Sequence, residues 1–156
     1  MQSVHSKRQS RKVDLAGLQA LCAANYARLR KLLPRLDADN EDSFIIDVAG
    51  EQGVAVRVLE RGPYTTIIDI KQQTPFALWA KAPHFQVRLY HDARMAEVFA
   101  CQRGRHFRPR YDYPNKSMYQ RDEKFQVNRF FSEWLGVCLS NGRPGQTFSV
   151  NTNVVN

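Results

Sequence analysis

Apolar residues recur at helical spacing near both ends of the chain. Near the N-terminus they follow one another every three or four positions: Leu15, Leu18, Cys22, Tyr26, Leu29 and Leu32. This spacing predicts one apolar face of a helix that begins after the N-cap Asp14 and ends before Pro34. A second helix is predicted from Asp122 to the Asn141-Gly142 pair, with this wide apolar face: Val127, Phe130, Phe131, Trp134, Leu135 and Cys138.

Between the two helices, apolar and polar residues alternate with a period of two, which is typical of strands. The predicted strands are Ser43–Ala49, Val54–Glu60, Tyr64–Lys71, Phe85–Tyr90 and Met95–Cys101. Their short connections require antiparallel hairpins, since parallel strands need long crossovers. We therefore predict a single α+β domain in which an antiparallel sheet of about five strands, as a three-stranded and a two-stranded meander, is packed by an N-terminal and a C-terminal helix. The strand order and the face that each helix covers stay open.

The expected domain spans residues 14–141, between a flexible basic arm at 1–13 and a polar C-terminal tail at 142–156. A length of 156 residues suits one domain with its own core. The segment FALWAKA, at 76–82, is either a helical turn or a loop whose apolar side chains close the core edge. No apolar run approaches the roughly 20 residues that cross a bilayer, so we expect a cytoplasmic protein with no membrane partner.

The net charge of +8 is concentrated in two segments. Residues 1–13 hold four basic residues and no acidic one, and residues 103–124 hold seven basic residues against three acidic ones, while the rest of the chain balances. Local basicity of this kind is expected where an anionic partner binds. The alternative is a solvated face together with a disordered arm.

The connector at 102–120 interleaves basic side chains with tyrosines, a combination that suits phosphates and stacked bases. With the outward-facing residues of the fourth strand and the start of the last helix, the candidate binding residues are Arg88, Tyr90, Arg108, Arg110, Tyr111, Tyr113, Arg121 and Lys124. The alternative interpretation is an irregular loop that its tyrosines pin to the domain.

A second polar cluster is predicted around the fourth and fifth strands, with His91 on the core side of a strand end. Its members are His91, Asp92, Glu97 and Asp112, with His84 and His106 as further neighbours. The cluster would suit a metal-dependent hydrolase, but its spacing matches no known metal motif. The alternative is that His91 and Asp92 hold a tight turn through side-chain hydrogen bonds.

The sequence lacks the motifs that are typical of other enzyme classes. The sequence has no glycine-rich dinucleotide or phosphate loop and no G-x-S-x-G elbow. Cys22, Cys101 and Cys138 are odd in number and widely spaced, so we interpret them as buried thiols. No cofactor and no metal are expected.

Several longer strings carry a resemblance to a known family. VRLYHDARMAEV, RYDYPN and QRDEKFQVN, with NYARLRKLLPR and YTTIIDI, resemble the YqiB-like family of bacterial proteins, a domain of unknown function. The resemblance covers residues 13–140 and implies no reaction, cofactor or catalytic residue.

The sequence thus predicts a non-enzymatic binding module for an anionic ligand, namely RNA, other single-stranded nucleic acid or a nucleotide. One alternative is a regulatory adaptor that binds an acidic protein surface, and a less favoured one is the hydrolase of the His91/Asp92 hairpin. The oligomeric state is left open.

Overall fold

The computed structural model describes residues 14–48, 51–73, 82–103 and 120–149. Its elements, in chain order, are α1 (Leu15–Leu32), β1 (Ser43–Val48), β2 (Glu51–Arg61), β3 (Thr65–Gln72), β4 (Pro83–Tyr90), β5 (Met95–Arg103), α2 (Gln120–Asn141) and β6 (Gly142–Ser149). The predicted α+β class, with an antiparallel sheet and two helices, is confirmed. FALWAKA lies almost wholly outside the described residues.

The strands form a single antiparallel sheet in the order β5-β4-β3-β2-β1-β6. The five predicted strands are neighbours in the sheet in the same order as in the sequence. In the described residues the sheet has six strands, one more than the predicted five. This sixth strand, Gly142–Ser149, lies in the segment expected to be a polar tail and pairs with β1. Backbone N–H and C=O groups can pair without an apolar pattern, so the pattern gave no sign of this strand. The outer limits of the domain stay a prediction.

Both helices pack on the same face of the sheet, where the alternating apolar side chains of the strands are buried. The largest fully buried side chains come from both helices, from the segment just after α1 and from the sheet: Trp134, Phe44, Phe85, Phe131, Leu29, Leu33 and Leu36. The Phe85 ring of β4 lies 4.8 Å from the ring of Phe131 and 5.2 Å from that of Trp134, between ring centroids. One core therefore joins the helices to the middle of the sheet.

Hydrogen bonds set the positions of the two helices. Asp14 caps α1 as predicted, because its carboxylate accepts from the backbone N–H of Gly17 at 2.8 Å. The helices are joined where the buried Asn25 side chain donates to the backbone oxygen of Asn128, at 3.1 Å. In α2, the indole N–H of Trp134 donates to the side-chain oxygen of Gln72 in β3, at 2.8 Å. The bonds made by Asn25 and Trp134 satisfy polar groups that would otherwise be buried without a partner.

The cysteine interpretation is confirmed for two residues. Cys22 and Cys138 are buried, whereas Cys101 on β5 is only half-buried. Burial raises the pKa of the Cys138 thiol to about 12. For Cys22, burial and then the charge of Glu97 raise the pKa to about 11.

Within the described residues, no helix has the length and apolar character needed to cross a membrane.

Candidate functional site

The sheet face opposite the helices, here called the outer face, carries the candidate site. On β4, the residues that alternate with the buried Pro83, Phe85, Val87 and Leu89 point to this face. They are His84, Gln86, Arg88 and Tyr90, here called the β4 row. Arg88 and Tyr90 thus lie on the face that the sequence predicted for them, side by side at one end of the row.

Arg88 is held in place by an aromatic neighbour. Its guanidinium carbon lies 5.2 Å from the centroid of the Phe99 ring on β5, which is within the range of a cation–π contact. A register irregularity at the Gln86/Val87 pair of β4 leaves Phe99 unpaired on β5. Phe99 therefore supports the long Arg88 side chain, while no described carboxylate forms an ion pair with that arginine.

Lys124, at the start of α2, reaches the edge of the same face. Its Nζ atom lies 2.5 Å from Oε1 of Glu97, and Glu97 is the cross-strand partner of Arg88. Two predicted binding residues, Arg88 and Lys124, and one residue of the predicted polar cluster, Glu97, are therefore neighbours. Because Glu97 has its own partner in Lys124, its charge is compensated locally.

At the other end of the β4 row, Asp69 on β3 organises two side chains. Its Oδ1 accepts from Nε2 of His84 at 2.6 Å and from Nε2 of Gln86 at 3.3 Å. The direct cross-strand neighbours on this side are Lys71, opposite His84, and Arg57, opposite Asp69. Among the described residues, neither Lys71 nor Arg57 forms an ion pair, and both are exposed.

The outer face has a mixed charge. Besides Asp69 and Glu97, it carries Glu60 on β2 and Asp47 on β1. The acidic residues nearest the β4 row, Asp69 and Glu97, are paired with His84 and Lys124. The nearby cations Arg57, Lys71 and Arg88 have no carboxylate partner among the described residues. They are the groups on this face that remain able to bind an anion.

His91, at the first position of the turn after β4, is part of the packing between α1 and the sheet. Its Nδ1 is hydrogen-bonded to the hydroxyl of Tyr26 at 3.0 Å and its Nε2 to that of Thr66 at 2.7 Å. The expected core-side position of His91 is confirmed. Both ring nitrogens are occupied, and the bonds go to the side chains of α1 and β3 rather than to the turn itself.

The structure does not bring the predicted polar cluster together as a metal site. Asp92 is exposed and has no side-chain partner among the described residues, and Glu97 pairs with Lys124. In the described part of the chain, no group of three His, Cys, Asp or Glu side chains has the geometry to hold a metal ion. The fourth member, Asp112, lies outside the described residues.

The other predicted binding residues belong to the Arg/Tyr-rich segment and to the start of α2. Four of them lie outside the described residues: Arg108, Arg110, Tyr111 and Tyr113. Arg121 lies in the first turn of α2. The described residues that flank this segment are informative, since Arg103 pairs with Pro83 at the start of β4 and Lys124 contacts Glu97 beside Arg88. These two described residues, on either side of the segment, are thus neighbours of β4 and of β5.

Four residues of this surface were not predicted as members of the site: Arg57, Asp69, Lys71 and Phe99. The alternation had placed Arg57, Asp69 and Lys71 opposite the apolar residues of their strands, so the signal for a shared face was present. The predicted three-stranded meander also places β2 beside β3, but it did not show that β4 pairs with β3. Phe99 gave no such signal, because its contact with Arg88 depends on the register irregularity.

Comparisons with known proteins place the chain among uncharacterised relatives. A family model described as "Protein of unknown function (DUF1249)" matches residues 28–144. The chain is also similar to the "Uncharacterized protein YqiB" of Escherichia coli strain K12, with 43% identity over 129 residues, which cover 83% of this chain and 91% of that protein. The YqiB proteins of the O6:H1 and O157:H7 strains match with the same values. No solved structure matches significantly.

Proposed function

The chain belongs to the DUF1249 family, whose function is unknown, and we propose that it is a non-enzymatic binding module for an anionic ligand. The ligand class is RNA or other single-stranded nucleic acid, or a nucleotide, bound in the cytoplasm through the Arg88/Tyr90 end of the outer face. The observation that carries this proposal is the position of Arg88. It lies on the outer face, supported by Phe99 and without a carboxylate partner among the described residues.

The chemistry of this end of the sheet suits such a ligand. An arginine fork binds phosphate oxygens in pairs, and a ring contact fixes its plane before the ligand arrives. Tyr90 is the next residue of the β4 row, and its side chain forms no hydrogen bond with any other described residue, so its ring remains available as a stacking plane. Lys124 pairs with Glu97 at the edge of the sheet, so it compensates the carboxylate that is the cross-strand neighbour of Arg88.

The test is fluorescence anisotropy with a labelled single-stranded octaribonucleotide, and with unlabelled nucleotides as competitors. Arg88→Ala is expected to weaken binding by about tenfold or more, since a desolvated charge-assisted contact contributes about 1.5–3 kcal/mol. Arg129→Ala is the matched control, because Arg129 is an exposed arginine of α2, the helix that packs on the opposite face, and its partner is Glu133. Equal affinity for the two variants would show that Arg88 is not part of the binding surface.

A co-purification experiment separates this proposal from the adaptor alternative. Under the proposal, the protein carries nucleic acid or nucleotide that absorbs at 260 nm, and nuclease treatment or high salt releases any polymer. A protein partner that stays bound after nuclease treatment, together with no affinity for the octaribonucleotide, would favour the adaptor instead.

A further inference from the structure

We infer that the ligand of the outer face is an extended single strand of several nucleotides that follows the β4 row, rather than a mononucleotide. This inference rests on the proposed function and adds the length and direction of the ligand. The row runs from His84 to Tyr90, and its side chains stand on one face of a strand that is straight enough to pair with β3 over its whole length.

The length of the row is the first argument. Alternate residues of a strand are about 7 Å apart, so His84 and Tyr90 are separated by roughly 20 Å. A stacked nucleic-acid strand advances about 3.4 Å per nucleotide, and a splayed strand advances further. A ligand that contacts both ends of the row therefore needs several linked nucleotides, because a mononucleotide reaches only one end.

The chemistry of the two ends is the second argument. One end has the Tyr90 ring, with Met95 as its cross-strand neighbour on β5, and this combination offers apolar surface and a plane for a base. The other end has Lys71 opposite His84, and Arg57 one strand further. The two ends thus offer a stacking site and a pair of cations that lack a described carboxylate partner, with Arg88 between them.

The separation of the cations is the third argument. Arg57 and Arg88 lie two strands apart and two residues out of register, so their backbone positions are roughly 12 Å apart at about 4.8 Å between neighbouring strands and 3.3 Å per residue. Lys71 is four residues out of register with Arg88 on the adjacent strand. Cations spread in this way match successive phosphates of one strand better than the clustered phosphates of a single nucleotide.

The paired acid among these cations, Asp69, supports the same ligand. Asp69 is hydrogen-bonded to His84 and Gln86, so it orients two polar side chains that can face the ligand's base edges. A ligand that carries its negative charge at intervals can place neutral bases over Asp69 and phosphates over Lys71 and Arg88. A compact polyanion would instead bring its charge directly over the carboxylate.

A competition series tests this inference on the full-length protein. A labelled octauridylate is displaced by unlabelled oligouridylates of one, two, four, six and eight nucleotides at a fixed low salt concentration. We expect the apparent affinity to rise by about a hundredfold or more from one nucleotide to between four and six, where the row is filled, and to change little beyond that.

Substitutions at both ends of the row provide the second part of the test. Lys71→Ala and Tyr90→Ala are each expected to weaken octauridylate binding by about fivefold to tenfold, whereas Lys71→Arg and Tyr90→Phe retain it because the charge and the ring remain. Arg129→Ala, on α2, is again the control. Circular dichroism of each variant checks that the domain is folded.

The outcomes distinguish the two proposals. If uridine monophosphate competes as well as the octamer, or if only one end of the row affects octamer binding, the extended strand is overturned while the anionic-ligand module stands. If octauridylate does not bind at all and no nucleotide does, both are overturned.

Discussion

The side-chain oxygen of Asn128 on α2 accepts a hydrogen bond from the backbone N–H of Val98 on β5, at 2.9 Å. Among the described strands, β5 is the last on its side of the sheet, so this N–H finds no partner strand there and is satisfied by the helix instead. Asn128 also donates from Nδ2 to the backbone oxygen of Lys124. One fully buried amide thus fixes the start of α2 against the sheet edge beside Arg88.

Removing this amide is expected to destabilise the domain. Asn128→Ala leaves the Val98 N–H without its acceptor in a buried position, and we expect a loss of about 2–3 kcal/mol in the free energy of unfolding, measured in urea. Asn141→Ala is the control, since its exposed amide bonds only within α2, and should change stability by less than about 0.5 kcal/mol. A loss as small for Asn128→Ala as for the control would contradict the edge-capping role.

A second prediction compares two adjacent residues of the turn after β4, the hydrogen-bonded His91 and the exposed Asp92. His91→Leu removes the hydrogen-bond partner of the Tyr26 and Thr66 hydroxyls and is expected to lower the free energy of unfolding by about 1–3 kcal/mol. Asp92→Ala, one residue further along the exposed turn, should stay within about 0.5 kcal/mol of the parent. Chemical denaturation measures both variants, and equal losses would show that the His91 bonds contribute nothing specific.

Substitutions of Arg94 test whether the backbone of the same turn is strained. It has a φ of 53°, in the left-handed region that branched side chains rarely adopt. Arg94→Gly and Arg94→Val both lose the contact of the guanidinium with the Tyr26 ring. The comparison between them therefore isolates the backbone, and we expect the valine variant to be less stable by about 1 kcal/mol or more. Thermal melting of the two variants measures this difference, and equal melting temperatures would exclude a strained turn.

The cysteines give a prediction for thiol chemistry. In the native protein, a thiol reagent should react first with the half-buried Cys101, whereas Cys22 and Cys138 should react only on unfolding. Counting thiols in buffer and in urea, with Cys101→Ser as the reference variant, checks the order. Rapid reaction of two or more thiols in the native protein would contradict the buried positions.

The same thiols are expected to lower the free energy of unfolding at alkaline pH. Burial raises the pKa of Cys138 from its usual 9.0 to about 12, and burial together with the charge of Glu97 raises the pKa of Cys22 to about 11. Well below pH 9 both thiols are protonated in the folded and the unfolded chain, so they add no pH dependence there. Above it the unfolded chain loses these protons first, and stability falls as pH rises toward the folded values. Cys138→Ala should reduce the steepness of that fall in urea titrations between pH 9 and 11.

Asp69 tests how a negative charge on the outer face affects binding of the ligand. Asp69→Asn keeps an acceptor for His84 and removes a negative charge beside Arg57 and Lys71. Under the proposed function, octauridylate binding is then expected to tighten by about twofold to fivefold at low salt and to converge with the parent at high salt. The parent and variant are compared by anisotropy across a salt series. Weaker binding by the variant would indicate that Asp69 contacts the ligand directly as an acceptor.

Much of the fold could be predicted because its signals are local. The spacing of Leu18, Cys22 and Tyr26 defines a helix face, and Asp14 supplies the cap that begins it. The alternation around Val87 placed Arg88 and Tyr90 on the face opposite the core, and the four-residue turn from His91 to Arg94 follows from the ends of β4 and β5. These features depend on neighbours within a few residues, so one sequence contains them.

The contacts that define the candidate site join residues that are far apart in the sequence. Lys124 meets Glu97, and Tyr26 meets His91 across 65 residues of chain. Nothing in the local pattern indicates such pairs, because many side chains of the right chemistry are available to each partner. The Arg88 contact with Phe99 depends on one irregularity in the register of two strands. Long-range contacts of this sort are selected by the packing of the whole core.

The sequence by itself determined the helices, the five hairpin strands and the face of each strand that is buried, because periodicity records which side chains share a side. Only the tertiary structure decided that both helices cover the same face, that β6 adds to β1, and that Arg57, Lys71 and Arg88 share the other face. The physical reason is that periodicity states which residues must be buried together, whereas the element that buries them is chosen by the competition among all elements for one core.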